Sequence, residues 1–272
     1  MTLTLTYTGQ TQVPVEIEGL TPDRVRSKTL DDIRRIEIFH GNRKVALDIM
    51  FDVAGDASDE AMVFEGDLSG VHWIGAHMRS GHVHIQGPAG RHIGSEMYGG
   101  EIQVDGDAGG WVGAEMHGGL IRVRGSAGHL VGAAYRGSRK GMTGGTILIG
   151  GDVGNEVGHS IRRGWIAVGG RAGDMIGFNM IAGSVFVFGG CGIRPGAGMR
   201  RGTIGLFGDP VPQLLPSFSW ACQLQPTFLS LMLRKLAEYD FAFDPALRSA
   251  DCDLYHGDLV ALGKGEILMR HD

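Results

Sequence analysis

Between residues 82 and 208 the chain repeats itself every 19 residues, and a period of that length restricts it to architectures in which one unit stacks on the next. HVHIQGPAGRHIGSEMYGG (82–100) runs directly into EIQVDGDAGGWVGAEMHGG (101–119). The unit 120–145 carries seven additional residues, 134–140. After it, TILIGGDVGNEVGHSIRRG (146–164), WIAVGGRAGDMIGFNMIAG (165–183) and SVFVFGGCGIRPGAGMRRG (184–202) restore the spacing.

Aligned, the units share four glycine columns, represented in one unit by Gly106, Gly109, Gly113 and Gly119. Such columns mark corners that need positive φ or close backbone approach. Between corners the apolar residues alternate, as in Ile102/Val104 and Ile147/Ile149, so one face of a short strand points inward. Two more inward columns follow, one of Ile74, Ile93, Val112, Val131, Val157, Ile176 and Pro195, the other of Met78, Met97, Met116, Met142, Ile161, Met180 and Met199. The pattern predicts an all-β fold, a right-handed parallel β-helix whose 19-residue coils stack like residues about 4.8 Å apart. Coils of this kind depend on their neighbours, so both ends of the array need capping.

The flanks fit that need. Residues 1–60 read as a β-rich N-terminal cap: MTLTLTY alternates like an edge strand, VPVEIEGL reads as a second strand, TPDRV as a short helical start, and IRRIEIF and VALDIMF as a hairpin across HGNRK. Residues 61–81 form an atypical first coil, so the β-helix spans 61–208 and ends before Pro210, Pro212 and Pro216, which cannot supply ladder N–H groups. Residues 209–272 form a small α/β extension, either a second cap or a subunit-docking arm. In it PTFLSLMLRKLAEYD spaces Phe228, Leu231, Leu233 and Leu236 as an amphipathic helix would, and DLVALGKGEILMR reads as a hairpin around Gly263-Lys264-Gly265.

Composition narrows the function classes. A net charge of −5 leaves no basic excess to replace phosphate counterions, so nucleic acid is not an expected partner. Cys191, Cys222 and Cys252 form no CxxC pair, which fits a reducing compartment and neither a disulfide framework nor a zinc site. The start MTLTLTYTGQ has no basic and apolar leader, and no 18-residue apolar run occurs, so a soluble cytoplasmic protein with no membrane contact is expected.

Charge gathers at one corner of the coils. Arg79, Arg162, Arg163, Arg200 and Arg201 occupy equivalent turn positions, and the insertion AYRGSRK adds Arg136, Arg139 and Lys140 nearby, with Tyr135 and Met142 bordering it. Two uses are open: a solvated corner, or a strip that holds carboxylates on a partner or a ligand tail, a task suited to guanidinium forks. His72, His77, His82, His84 and His92 cluster in the first two coils, and His82 and His84 should face outward together, but no carboxylate or thiol column completes a metal site. A calcium roll is excluded because Asp67, Asp107 and Asp152 share their column with Pro88, Ser126 and Arg171. No nucleophile elbow, phosphate loop or triad spacing is present, so neither a catalytic residue nor a metal is assigned.

The pattern GxxGxxxGxxMxGGxIxVxG, plain in GDAGGWVGAEMHGGLIRVRG, resembles the glycine-rich β-helix of the C subunit of formylmethanofuran dehydrogenase and of the C-terminal domain of the glutamate synthase large subunit. The interruption YRGSRKGMTGG, the MRRGTI ending and the tail LLPSFSWACQLQPTFLSLMLRKL look like the dehydrogenase branch, including its counterpart in the bacterial formyltransferase/hydrolase complex of methylotrophs. The resemblance implies a non-catalytic scaffold without a cofactor of its own, set beside an amidohydrolase-like subunit and a formyltransferase subunit. In such a complex formyl groups pass from a tetrahydromethanopterin carrier to a methanofuran-type carrier and are hydrolysed to formate by the partner subunits. It also implies a use for Arg136, Arg139, Lys140, Arg162, Arg163, Arg200 and Arg201, which would hold that carrier's polyglutamate tail. Two alternatives stand beside it, a stand-alone β-helix enzyme acting on polysaccharide and a glutamate synthase-type spacer. The first calls for paired carboxylates and a base on one outward strand face, and no single column supplies them.

Overall fold

A computed structural model describes residues 2–271. Its strands are the alternating segments of the repeat: β6 (Ala61–Glu65), β8 (His82–Gln86), β9 (Glu101–Val104), β10 (Leu120–Val123), β11 (Thr146–Ile149), β12 (Trp165–Val168), β13 (Ser184–Val187) and β14 (Arg201–Leu206). They pair in parallel in that order, with Met62, Val83, Ile102, Ile121, Ile147, Ile166, Val185 and Ile204 as successive Cα partners. A second row of bridges joins Leu68, Ala89, Ala108, Ala127, Val153, Ala172 and Cys191. Both rows keep the register of the sequence repeat, including its longer step across the insertion. The insertion itself is looped out between Ala134 and Gly141, whose amides donate to the His159 and Ser160 carbonyls of the following unit.

Inside the stack the methionine column is fully buried, as are Ile161 within it and the Ile74-to-Val157 column. Met is unbranched and fills the space between successive turns without a preferred shape. The glycine columns differ from one another in what they require. Gly113 has φ +60, and Gly119 has φ +92 with the Gly100 carbonyl close to where its Cβ would sit. Gly106 and Gly109 have no positive φ and are required instead by close approach to the Gly87 and Gly90 backbones.

The N-terminal residues extend the same sheet. β1 (Leu3–Tyr7) is parallel to β6 and antiparallel to β5 (Phe51–Ala54), so it lies between two strands and is not an edge strand. Leu3 and Leu5 on its inward face are fully buried, which explains the location. A second sheet joins β2 (Val15–Glu16), β3 (Glu37–His40), β4 (Arg43–Ala46) and β7 (Val71–His72), with α1 (Pro22–Val25) and α2 (Leu30–Arg34) in the connection from β2 to β3. The hairpin across HGNRK is β3–β4, but VALDIMF is broken by a 3-10 turn at Leu47–Ile49 before β5 begins.

At the other end β17 (Lys264–Arg270) pairs in parallel with β14, followed outward by β16 (Cys252–Gly257) and β15 (Ser219–Leu224). The C-terminal hairpin is therefore β16–β17, with loop 258–263 between its strands, and its first strand lies upstream of the expected segment. Lys264 and Gly265 belong to β17 and not to the turn. The helix α3 (Thr227–Glu238) forms where expected, but buries Leu229, Leu233 and Leu236, leaving Phe228 and Leu231 exposed. The i, i+4, i+7 stripe wins because it meets an apolar outer sheet face of Leu148, Trp165, Ala167, Phe186, Phe207 and Leu268. Among the described residues no helix is long and apolar enough to cross a membrane.

Candidate functional site

One corner of the stack is defined by a row of backbone bonds. The amides of Tyr98, His117, Thr143, Arg162, Ile181 and Arg200 donate to the carbonyls of Met78, Met97, Met116, Met142, Ile161 and Met180 in the preceding units. The row continues back to Arg79, so Arg79, Arg162 and Arg200 share one edge as their spacing predicts, with Arg163 and Arg201 in the adjoining position. Its two halves behave differently. In the first half the side chains satisfy one another: the Arg79 guanidinium lies 4.9 Å from the Tyr98 ring centroid, Tyr98 stacks on His117 at 4.4 Å, and His117 Nδ1 lies 2.7 Å from Thr143 Oγ1.

In the second half the cations have no such partners. Arg162, Arg163, Arg200 and Arg201, and Arg136, Arg139 and Lys140 of the insertion, are all exposed, and none forms an ion pair among the described residues. The arginines that do pair, such as Arg26, Arg122, Arg124 and Arg270, lie elsewhere. Arg162, Arg163, Arg200 and Arg201 line a depression of about 480 Å3 together with Ile181 and Leu262. Arg139 and Arg200 line an adjoining cavity of about 950 Å3, whose other walls include Ser160, Asn179 and Asp258. Arg136 and Lys140 line neither. Asp258 adds a negative charge to the cavity wall but forms no ion pair with either arginine: its carboxylate is buried and accepts from the Gly198 and Val260 amides, both at 3.0 Å. Burial pushes its pKa up, but these amides and Ser217 outweigh that and hold it below the usual carboxylate value.

The insertion is fixed in place by aromatic packing, of which the sequence signals only the part played by Tyr135. Trp73, His92 and Trp111 occupy equivalent positions, with Trp73 and His92 stacked at 4.1 Å and His92 and Trp111 at 5.9 Å. Tyr135 lies across them, 5.1 Å from Trp111, with its hydroxyl 3.0 Å from His92 Nδ1 and its amide donating to Glu115 Oε1. Burial, followed by the nearby Arg91 and His72, lowers the His92 pKa to about 4, and burial raises that of Tyr135 to about 12. His92 Nδ1 and the Tyr135 hydroxyl thus share a hydrogen bond between two uncharged groups. These three stacking residues have positive φ although none is glycine, because alternate residues of this turn send their N–H groups to opposite neighbours: Trp73 donates to the Arg91 carbonyl ahead and Gly94 to the Ile74 carbonyl behind.

The histidines are separated by these roles and do not converge. His72 Nδ1 accepts from the Arg91 amide, as His129 Nδ1 accepts from Asn155, while Asn155 and Asp174 accept in turn from the next unit. Asp107, Ser126 and Asp152 form a parallel ladder of the same kind. His77 meets Glu18 at 2.8 Å and His84 meets Asp105 at 2.7 Å. Among the described residues no group of three or more His, Cys, Asp or Glu side chains could hold a metal ion.

The outward strand face carries more charge than single columns suggest. Glu101 and Asp105 lie beside Arg122, Arg124 and His84 across adjacent strands, but each carboxylate is already paired, Glu101 with Arg122 at 3.1 Å and Asp105 with Arg124 at 3.2 Å. A glycosidic site needs such groups free to exchange protons with a substrate.

No protein-family model matches the sequence. The C subunit of the tungsten-containing formylmethanofuran dehydrogenase 2 of Methanothermobacter thermautotrophicus is 36% identical over 87 residues, 30% of this chain and 32% of that protein. The C subunit of the molybdenum-containing formylmethanofuran dehydrogenase 1 of Methanothermobacter marburgensis is 40% identical over 80 residues, 29% of this chain and 20% of that protein. The match therefore spans about a third or less of the length of these curated relatives. A chain in the X-ray crystal structure of the formyltransferase/hydrolase complex FhcABCD from Methylorubrum extorquens, in complex with methylofuran, superposes with a TM-score of 0.91 at 30% identity, over 99% of this chain and 100% of that one. By its agreement over nearly the whole length with that chain, and by its identity over part of their length with the curated relatives, the chain belongs to the family of formylmethanofuran dehydrogenase C subunits.

Proposed function

We propose that the chain is a scaffold subunit of a multisubunit one-carbon enzyme complex, folded as a right-handed parallel β-helix with 19-residue coils, and that its arginine edge holds a carboxylate-rich carrier tail. Residues 1–60 and 209–272 serve as the two caps of the β-helix, since each block adds strands to one end of the sheet. Formyl transfer to a methanofuran-type carrier, and hydrolysis to formate, belong in this reading to formyltransferase and amidohydrolase-like partner subunits. The solved neighbour is a multisubunit complex with methylofuran, which supports both the partner subunits and the carrier.

The observation that carries the tail-binding reading is the row of exposed cations without ion pairs. Five of these side chains, Arg139, Arg162, Arg163, Arg200 and Arg201, line two adjoining depressions and repel one another, and an oligomeric anion relieves that repulsion at several points at once. Each exposed pair contributes only about 0.2–1 kcal/mol, so retention depends on several pairs in a row. Replacing Arg162, Arg163, Arg200 and Arg201 together with Gln removes four, an expected loss of about 1–4 kcal/mol. Purified complex carrying the four replacements should bind a synthetic oligoglutamate peptide correspondingly more weakly and contain less carrier while keeping its subunits. Dissociation of the subunits, with carrier content per surviving complex unchanged, assigns the edge to a protein interface instead.

A further inference from the structure

Beside the arginine edge the loop between β16 and β17 lifts three aliphatic side chains into solvent: Leu259 is 59% exposed, Val260 86% and Leu262 48%. A loose loop would turn such residues inward, but this one is fixed. Buried Asp258 accepts from the Gly198 and Val260 amides, the Ala261 and Gly263 amides donate to its carbonyl, and the Leu259 amide donates to the Ser217 carbonyl. Its shape is therefore set before anything binds, and a preformed apolar projection loses little conformational freedom on docking.

We propose that this loop is a docking knob for a partner protein whose surface presents an apolar recess rimmed by carboxylates. The inference deepens the reading of the chain as a complex subunit and rests on it. Charge decides between occupants. Leu262 lines the same depression as Arg162, Arg163, Arg200 and Arg201, so whatever covers the knob also meets unpaired cations. A second copy seated on the knob through this same face would bring another set of cations towards them, which costs energy, whereas an acidic rim is attracted to whatever positive charge a bound tail leaves over. Val260 and Leu262 thus stand beside guanidinium groups, Val260 sharing its cavity with Arg139 and Arg200, the apolar-next-to-polar composition of an interface core and its rim.

The test uses full-length variants expressed in place of the native copy, with the complex purified through this chain. Val260→Asp and Leu262→Asp change exposed side chains and should fold normally, and Ile49→Asp, at a 60% exposed position on the N-terminal block, serves as control. The expected result is partner content reduced about tenfold or more in the two loop variants and unchanged in the control, since each new carboxylate faces a rim of its own sign. A benzophenone amino acid at position 260 should cross-link to a partner peptide containing Asp or Glu. Full partner content in both loop variants overturns the proposal and leaves the complex-subunit reading intact. A cross-link to a second copy of this chain overturns it, as does binding to phosphatidylserine vesicles that Val260→Asp abolishes. If the unmodified chain brings down no partner, the complex-subunit reading fails and the knob fails with it.

Discussion

At the scale of single residues, His92 shows how the turn chemistry carries into stability. Its pKa is held at about 4, against an ordinary value near 6.5, by burial first and then by Arg91 and His72. Between those values the unfolded chain binds more protons than the native one, so stability rises with pH across this window and is lost as pH falls towards 4. The gap corresponds to about 3 kcal/mol for a fully enclosed ring. His92 is partly solvated, which reduces the expected loss to about 1–2 kcal/mol. Urea unfolding at pH 7 and pH 4.5 should show it, and His92→Asn, whose side chain tolerates the positive φ, should lose less over the same interval. A second residue-scale comparison separates the two demands on glycine. Gly137 has φ +90 with nothing near its missing Cβ, whereas Gly119 has φ +92 and the Gly100 carbonyl 2.7 Å away. Gly137→Ala should cost about 1–2 kcal/mol and Gly119→Ala clearly more, as read from denaturant midpoints. Glycine corners were legible from the repeat. The positive φ of Trp73, His92 and Trp111 was not, because nothing in an aromatic side chain signals that conformation; only the column position does.

Among the elements, the outward face of the main sheet explains where α3 lies. Along the row His84, Gln103, Arg122, Leu148, Ala167 and Phe186 the side chains change from polar to apolar, and the helix covers the apolar part. That change is visible in the sequence and is the signal that places the C-terminal helix; the helix spacing alone points to Phe228, Leu231, Leu233 and Leu236, and the receiving surface selects Leu229, Leu233 and Leu236 instead. Strand positions were fixed by alternation within a repeat, whereas the broken VALDIMF segment and the displaced C-terminal hairpin have no repeat to correct them. Leu233 is fully buried against this surface. Leu233→Ala should therefore cost about 2–5 kcal/mol in global unfolding, provided α3 unfolds with the stack. Loss of helix at a lower denaturant concentration than the strand signal would show instead that the C-terminal block is a separate cooperative unit.

At the scale of the molecule, the stack converts a sequence period into a straight edge of charge. Lysines on flexible loops could adapt to many anions, but Arg162 and Arg200 are anchored by Met-column carbonyls two units apart, on either side of Ile181, a separation of about 10 Å at about 4.8 Å per unit. An anion with one charge satisfies one guanidinium there, while an extended oligoanion long enough to pass Ile181 engages both Arg162/Arg163 and Arg200/Arg201 and gains from each pair. Salt should separate the two cases. Exposed pairs are screened over about 10 Å at 0.1 M ionic strength, so binding of an oligoglutamate peptide to the purified complex should weaken steeply between low and high salt. The complex with Arg162, Arg163, Arg200 and Arg201 replaced by Gln should show a shallower dependence as well as weaker binding. A free glutamate should bind too weakly to measure in either. If the peptide binds with the same salt dependence to both complexes, the cations that hold it are not those of this edge, and the unpaired arginines are then left for the acidic rim of the partner that meets the Asp258–Gly263 loop.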